Sequence, residues 1–295
     1  MKLEADSSLE QKKSSAQHST LAPEAYVRVM PIGTARDLYN TGGKFFYIIS
    51  NKAVRKHQRQ TSSMATIAYR LFEIIFSSVA LICTFPLMVV IGLIIKLESP
   101  GPALFFQQRL SKAKLMRGDE IVKNDHFEIL DEHFDPNKQY WVPLPFRFVK
   151  FRTMYADARE RFPELYNYSY SDDDIASLSY KPEEDPRVPP IAKWLRISTL
   201  DELPNFWSVL TGDLSLVGPR PELPEMLPNY LPHEMRKFTV NSGITGLSQI
   251  NGRGRLTIKE VLHYDLEYVE NESISLNLKI FFKTIWKVIT HHGAF

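Results

Sequence analysis

Between Ile74 and Ile95 the chain runs for 22 residues without a charge, IIFSSVALICTFPLMVVIGLII. A bilayer's hydrocarbon core takes about 20 such residues as helix. No face of the run is strongly polar, so burial in lipid accounts for it better than burial in a protein core. The flanks constrain it further. Residues 51–70 carry Lys52, Arg55, Lys56, Arg59 and Arg70 with no acid, and residues 96–117 carry Lys96, Arg109, Lys112, Lys114 and Arg117 against Glu98 alone. Basic flanks mark the cytoplasmic side, and a single crossing would put one of these two outside. Pro86 sits near the middle of the run, where it removes a helix hydrogen bond and clashes with the preceding turn. Thr84 is placed to help satisfy a freed carbonyl. A kinked, re-entrant helix that returns to its own side fits both observations. A tilted spanning helix that tolerates its proline is the alternative.

The whole chain of 295 residues, 44% hydrophobic, can bury one sizeable core with a small appendage. A net charge of +2 is too mild to argue for nucleic acid, which is not an expected partner. Cys83 is the only cysteine, which excludes an intramolecular disulfide and any multi-cysteine metal site. Residues 1–25 are polar, lack the apolar core of a signal peptide and read as disordered. Residues 26–65, with Gly42-Gly43 and Phe45-Phe46-Tyr47-Ile48-Ile49, read as an accessory segment before the membrane helix at 66–98. Ser99-Pro100-Gly101-Pro102 is a sharp break that opens a domain over 99–275.

Within that domain, 111–138 reads as a polar, solvated insertion whose acids and His133 lack metal-ligand spacing. Phe146–Arg152 reads as a strand, with Lys150 and Arg152 on one side near its end. Asp172-Asp173-Asp174 reads as a surface turn, and residues 257–267 as helix. A C-terminal amphipathic helix is expected over 276–295, where Lys279, Lys283, Lys287 and His291 recur every fourth residue. Such a helix suits either an anionic lipid surface or its own domain. The expected fold class is mixed α/β and helix-rich: a monotopic membrane protein with one kinked re-entrant helix and surface amphipathic helices.

Farther along stand Leu195-Arg196-Ile197-Ser198-Thr199-Leu200-Asp201-Glu202-Leu203-Pro204 and Leu216-Val217-Gly218-Pro219-Arg220-Pro221. Two adjacent carboxylates are bracketed by two arginines, the groups an enzyme needs to set a metal and a phosphate beside a nucleophile. Thr199 and Glu202 have capping-box spacing, and Gly212 is placed to end the helix. Asp201 and Glu202 would then lie in a first turn, where the helix dipole favours negative charge. The same pair can simply cap a helix. Context favours a site, because prolines flanking Arg220 restrict its backbone and present the guanidinium with little entropy to lose. Gly243-Ile244-Thr245-Gly246 and Gly252-Arg253-Gly254-Arg255 are turns able to offer amides and another arginine to phosphate oxygens. Carboxylates, arginines and glycine turns around one anion make sense for phosphoryl transfer.

In order, Lys96-Leu97-Glu98-Ser99-Pro100-Gly101-Pro102, Gln108-Arg109, Lys150-Phe151-Arg152-Thr153-Met154, Leu200-Asp201-Glu202-Leu203-Pro204, Leu216–Glu222 and Gly243-Ile244-Thr245-Gly246-Leu247 resemble the motifs of the bacterial sugar transferases. These are the monotopic polyprenyl-phosphate phosphoglycosyl transferases, and the resemblance runs from about residue 66 to 290. It implies transfer of a sugar-1-phosphate from a UDP-sugar to a membrane polyprenyl (undecaprenyl) phosphate with release of UMP, initiating a lipid-linked glycan or exopolysaccharide. It also implies a bacterial inner-membrane enzyme with its catalytic domain on the cytoplasmic face and a re-entrant helix. A homo-oligomer is compatible with it. By position, Asp201 would be the nucleophile and Glu202 the Mg²⁺ ligand. Lys150, Arg152, Arg196, Arg220, Gln249 and Arg253 would bind substrate phosphates, and Asp265 would be a further polar site position.

The chain departs from the family's usual pattern in four places. Leu110-Ser111 stands where a glycine is usual, Ser242 where proline is, and Leu247-Ser248 where an aromatic is. Pro189-Pro190-Ile191-Ala192 replaces a basic residue and glycine. The rival readings are a soluble nucleotide-sugar transferase with a core helix at 74–95 and a catalytically altered scaffold for a glycan assembly complex.

Overall fold

The computed structural model describes residues 26–31, 46–50, 63–123, 127–129, 134–166, 185–252 and 255–290. The expected disordered segment 1–25, the Asp172–Asp174 run, Arg253 and His291 lie outside the described residues. In chain order the elements are β1 (Tyr26–Pro31), β2 (Phe46–Ser50), α1 (Ser63–Glu98), β3 (Leu104–Arg117), α2 (Gly118–Val122), β4 (Phe127–Ile129), β5 (Gln139–Phe151) and α3 (Ala158–Arg161). There follow α4 (Pro190–Ser198), a 3-10 turn (Leu200–Asn205), α5 (Phe206–Thr211), β6 (Ser215–Val217) and β7 (Gly243–Thr245). The described residues end with α6 (Leu247–Asn251), α7 (Ile258–Asn271) and α8 (Ile274–Thr290). The mixed, helix-rich class is as expected.

The long apolar run forms one helix that starts at Ser63 and passes Pro86 without interruption. It is long and apolar enough to cross a membrane, with only 11% of its most apolar window buried. Pro86 leaves the Ile82 carbonyl without its helical donor. Thr84 does not reach that carbonyl; its hydroxyl donates one turn earlier, to the Ala80 carbonyl at 2.7 Å. Bonding of this kind bends helices.

Helix α1 is buried in two places four residues long, at Glu73 and Ser77 and again at Ile91 and Ile95. At the first, Glu73 accepts the Leu216 amide at 2.8 Å and an Arg70 nitrogen at 3.1 Å. Arg70 in turn donates to the Val209 and Leu210 carbonyls at the end of α5, at 2.7 and 3.1 Å. Phe72 and Phe76 meet Phe281 edge to face, with centroids 5.6 and 5.0 Å apart. At the second, Ile91 and Ile95 cluster with Phe151 and Leu195. There Arg152 donates to the carbonyls of Ile95 (3.3 Å), Ser99 (2.7 Å) and Pro100. The Ser99 and Pro100 carbonyls lie just beyond the helix end, where no helical donor follows, and the Ile95 carbonyl also accepts the Ser99 amide at 3.2 Å. Gly101 makes room for this clamp: its φ is +116°, and a Cβ there would lie 2.5 Å from the Arg152 guanidinium.

Strands β3, β5, β2, β1 and β4 form, in that order, one antiparallel sheet. The segment expected to be an accessory therefore supplies two strands to the main sheet. The stretch 111–138 is likewise not simply a solvated insertion. A register shift between Leu110 and Ala113 carries β3 on to Arg117. Ala113 and, from α2, Ile121 are buried with Tyr140, Val142, Met235 and Phe238. Lys112 and Lys114 face outward, so the polar composition describes one face only. Strands β6 and β7 pair in parallel, Ser215 with Gly243 and Val217 with Thr245.

Replacing Glu73 with Ala removes the acceptor for a buried amide and strands Arg70. A loss of about 1–3 kcal/mol is expected, read as a fall of several degrees in the melting temperature of detergent-solubilised protein. An unchanged melting temperature would show that this attachment contributes nothing.

Candidate active site

The dyad sits on a 3-10 turn rather than in an α-helical first turn. Thr199, the residue before that turn, has φ 62° and ψ 11° and is the only described non-glycine residue with positive φ. For a β-branched residue this is a strained conformation, of the kind found at functional sites. The capping box expected at Thr199 and Glu202 does not form, since the Thr199 side chain makes no capping hydrogen bond. The same signature at Thr257 and Glu260 does form: Glu260 accepts the Thr257 amide at 2.8 Å, and Thr257 Oγ1 accepts the Glu260 amide at 3.2 Å. Glu202 is thus left to line a cavity, while Asp201 beside it is buried. Gly212 ends α5 in the left-handed conformation, at φ 91°, as its position suggests.

The cavity has a volume of about 320 Å³. Glu202, Arg196, Arg220, Ser248, Gln249 and Lys287 supply its polar groups. Its apolar wall combines Phe76 of α1, Leu203 and Phe206 after the dyad, and Phe281, Ile285 and Val288 of α8. A charged end facing an apolar wall suits an amphiphile or a phosphate held beside lipid.

Arg196 stands in the last turn of α4. Its Nε donates to Thr153 Oγ1 at 3.1 Å, and its guanidinium lies 3.7 Å from Asp185. Burial lowers its pKa, while the charges of Asp185 and Asp201 pull the other way. Asp185 is gripped by two guanidinium nitrogens of Arg187, Nε and one terminal nitrogen, at 2.8 and 2.9 Å. Burial raises the Asp185 pKa, but the bonds and charge of Arg187 outweigh it and hold the carboxyl below its ordinary value. Asp185 therefore stays an anion that aims Arg196.

Arg220 is positioned from beneath. Its amide donates to the Asp265 carboxylate at 3.3 and 3.4 Å. Asp265 is fully buried and lies 3.1 Å from the ammonium of Lys237, which also donates to Glu222 at 2.8 Å. The Tyr230 hydroxyl donates to Glu222 as well. Burial raises the Glu222 pKa, yet the Lys237 charge and these bonds override it and hold it at about 2. For Asp265 burial prevails and the pKa is raised, with Lys237 and the Arg220 amide opposing. Buried charges of this kind persist only when paired and hydrogen-bonded.

The cavity thus brings together Glu202, Arg196, Arg220 and Gln249, whereas Asp201, the residue before Glu202, is buried and does not line it. Asp265 is placed as a support for Arg220 rather than on the cavity wall. Lys150 projects from β5 with its ammonium 5.7 Å from the Phe105 ring centroid. Arg152, expected beside it, is turned away to the end of α1, because the bare carbonyls there compete for its fork. Sequence reading missed Glu73, Glu98, Thr153, Lys237 and Thr284. All bond to positions distant in sequence, Thr284 to Thr245 at 2.7 Å among them, and the signals on offer were the uncharged run's abrupt edge at Glu73 and the motif positions of Glu98 and Thr153.

Two departures from the family's pattern compensate one another. The Ser242 amide, which proline would lack, donates at 3.1 Å to Ser111 Oγ, which glycine would lack. The third departure places Ser248 Oγ 3.3 Å from Asp265 and 2.9 Å from Gln249 Oε1.

Comparison with known proteins agrees with this picture. The family model described as bacterial sugar transferase matches residues 64–118 and 142–291. An undecaprenyl-phosphate glucose phosphotransferase of Komagataeibacter xylinus is 34% identical over 249 residues, 81% of this chain and 39% of that protein. An undecaprenyl-phosphate galactose phosphotransferase of Salmonella typhimurium is 28% identical over 273 residues, 91% of this chain and 50% of that protein. The galactosyl transferase CpsE of Streptococcus agalactiae is 38% identical over 150 residues, 50% of this chain and 32% of that protein. The chain spans between about a third and a half of the length of these relatives. The chain belongs to the bacterial sugar transferase family.

Proposed function

We propose that the protein transfers a sugar phosphate from a UDP-sugar to a membrane polyprenyl phosphate, releasing UMP, with Asp201 as the nucleophile. The observation that carries this reading is the meeting of Glu202 with Arg196 and Arg220 on a cavity lined by Phe76 of α1, next in sequence to the buried Asp201, whose charge acts on Arg196. The names of the relatives, glucose and galactose phosphotransferases acting on undecaprenyl phosphate, support the acceptor class.

In the first displacement an Asp201 carboxylate oxygen attacks the sugar-bearing phosphorus. The bond from that phosphorus to the bridging oxygen breaks, and UMP leaves with the oxygen. In the second, a phosphate oxygen of the acceptor attacks the same phosphorus and the Asp201–phosphorus bond breaks, giving the lipid diphosphosugar. Splitting the transfer in this way replaces one difficult step by two at a single site. Arg196 and Arg220 offset the charge of the diphosphate so that an anionic carboxylate can approach.

Among the described residues no group of three acids, histidines or cysteines could hold a metal by itself. Mg²⁺ is commonly bound by one or two carboxylates together with substrate phosphates. Glu202, a carboxylate on the cavity wall beside two arginines, fits that pattern as the protein's ligand. When bound there, the ion would supply further neutralisation of the phosphate oxygens.

The same reading includes a re-entrant α1 on the cytoplasmic face of a bacterial inner membrane. Twenty-two positions separate Glu73 from Ile95, about 33 Å of straight helix, which exceeds the roughly 30 Å hydrocarbon core. A straight crossing would leave these two attachments on opposite sides, yet both are made to one domain. Phe206 meets Phe76 at 5.9 Å between centroids, and Leu200 packs with Ile91 and Ile95. From Leu200 to Phe206 a 3-10 path covers about 12 Å, against about 22 Å of straight helix from Phe76 to Ile91. A bend near Pro86, as a re-entrant helix has, would shorten the longer span. Helix α8 adds a second lipid-facing surface through exposed Phe282, Trp286 and Ile289, while Ile280 and Phe281 pack inward. Lys287 leaves the expected basic stripe, because its ammonium turns in to the Ile250 carbonyl at 2.7 Å.

Assay against a panel of UDP-sugars with polyprenyl phosphate should show UMP release with at least one sugar. Asp201→Asn should abolish it, since a neutral amide cannot attack a diphosphate. Asp201→Glu should fail too, because the reacting atom is displaced by about an ångström. UMP release by the Asn variant at the parent rate would exclude Asp201 as the nucleophile.

The topology has its own test. Single cysteines at the exposed positions Met64 and Leu97, in a Cys83→Ala background, should both be shielded from an impermeant maleimide applied outside intact cells. Labelling of one of them from outside would establish a spanning helix.

A further inference from the structure

Helix α4 carries Arg196 and leads into Thr199-Leu200-Asp201-Glu202, yet it has no cap of its own. Pro189 occupies the N-cap and Pro190 the first helical position. A Ser, Thr, Asp or Asn at the N-cap would accept an amide there; the Pro189 ring offers no acceptor, and Pro190 has no N–H to satisfy. The first amide the helix presents is that of Ile191. It donates at 2.8 Å to Glu98 Oε1, from a residue 93 positions earlier in the chain.

Glu98 is the last residue of α1. A negative charge there opposes the dipole of its own helix, but at the start of α4 the same charge is favoured. One carboxylate thus stands at the wrong end of the membrane helix and the right end of the site helix. The contact is reinforced from both sides: Leu195 of α4 packs with Ile91 and Ile95 of α1, and Leu200 packs against the same cluster.

We propose that Glu98 is a positioning residue for the transfer reaction: it is the N-cap that α4 lacks, and through α4 it sets where Arg196, Asp201 and Glu202 stand. The proposal rests on the functional reading above. It has the consequence that the seating of the membrane helix and the geometry of the site are linked through one hydrogen bond.

The full chain in detergent supplies the test, read by UMP release and by backbone hydrogen exchange. Glu98→Ala should lower kcat about tenfold while leaving KM for the UDP-sugar within about twofold. Exchange should quicken in peptides covering 190–201 and stay unchanged in α7. Glu98→Gln keeps an acceptor for the Ile191 amide. Pro189→Asp, added to Glu98→Ala, supplies a cap from α4's own chain, since the backbone at φ −61° and ψ 157° is extended, as N-caps typically are. Both should return kcat to within about threefold of the parent. Glu98→Ala turning over like the parent would overturn the proposal, as would equal impairment of all three variants. Exchange is measured without substrate. A parent protein that releases no UMP would therefore sink the transfer reaction and leave the cap to be judged by exchange alone.

Discussion

Two arginines exchanged between the long apolar helix α1 and the domain hold this structure together. Arg70 of α1 reaches into the domain and donates to the last carbonyls of α5. Arg152 of the domain reaches back and donates to the carbonyls that close α1. Helix ends present carbonyl oxygens with spare acceptor capacity and carry partial negative charge, so a guanidinium fork can bond several at once. Glu73 completes the first attachment and Glu98 the second, each by accepting a main-chain amide of the domain. With both ends of the helix tied to one body, the apolar middle is left bare for lipid.

The dyad lies between these attachments. Leu200 faces the second and Phe206 the first, so the 3-10 turn that carries Asp201 and Glu202 is held from both ends. Around it, two sets of buried charges fix the arginines. Asp185 and Arg187 aim Arg196, while Asp265, supported by Lys237 and Glu222, holds the backbone of Arg220. The cationic wall of the cavity is therefore preorganised, as electrostatic stabilisation of a phosphoryl transition state requires.

Much of this was legible in the chain. The helix expected at 66–98 is present as Ser63–Glu98, and the motif order pointed to the family. The dyad's local structure was not legible, because the signature at Thr199 is the same as the one that caps α7 at Thr257. Only tertiary packing decides between them: it forces Thr199 to a positive φ and frees Glu202 for the cavity. Arg152 was misread for a related reason. Its place on the strand is local information, whereas the carbonyls it satisfies belong to a helix end more than fifty positions away. Composition likewise hid the buried half of 111–138, where Ala113 and Ile121 point inward beneath lysines that point out. The strands at 26–31 and 46–50 could be read as apolar patches, but not their partners, since sheet order is set by packing across the whole domain.

The proposed function turns on a covalent bond to Asp201. Mixing the protein with its UDP-sugar and no lipid acceptor, then measuring intact mass and mapping peptides, tests that bond directly. The account predicts a mass increase of one phosphosugar on the peptide containing Asp201, discharged when polyprenyl phosphate is added. An unmodified Asp201 peptide, together with sequential rather than ping-pong kinetics, would contradict it and leave direct transfer between two bound substrates.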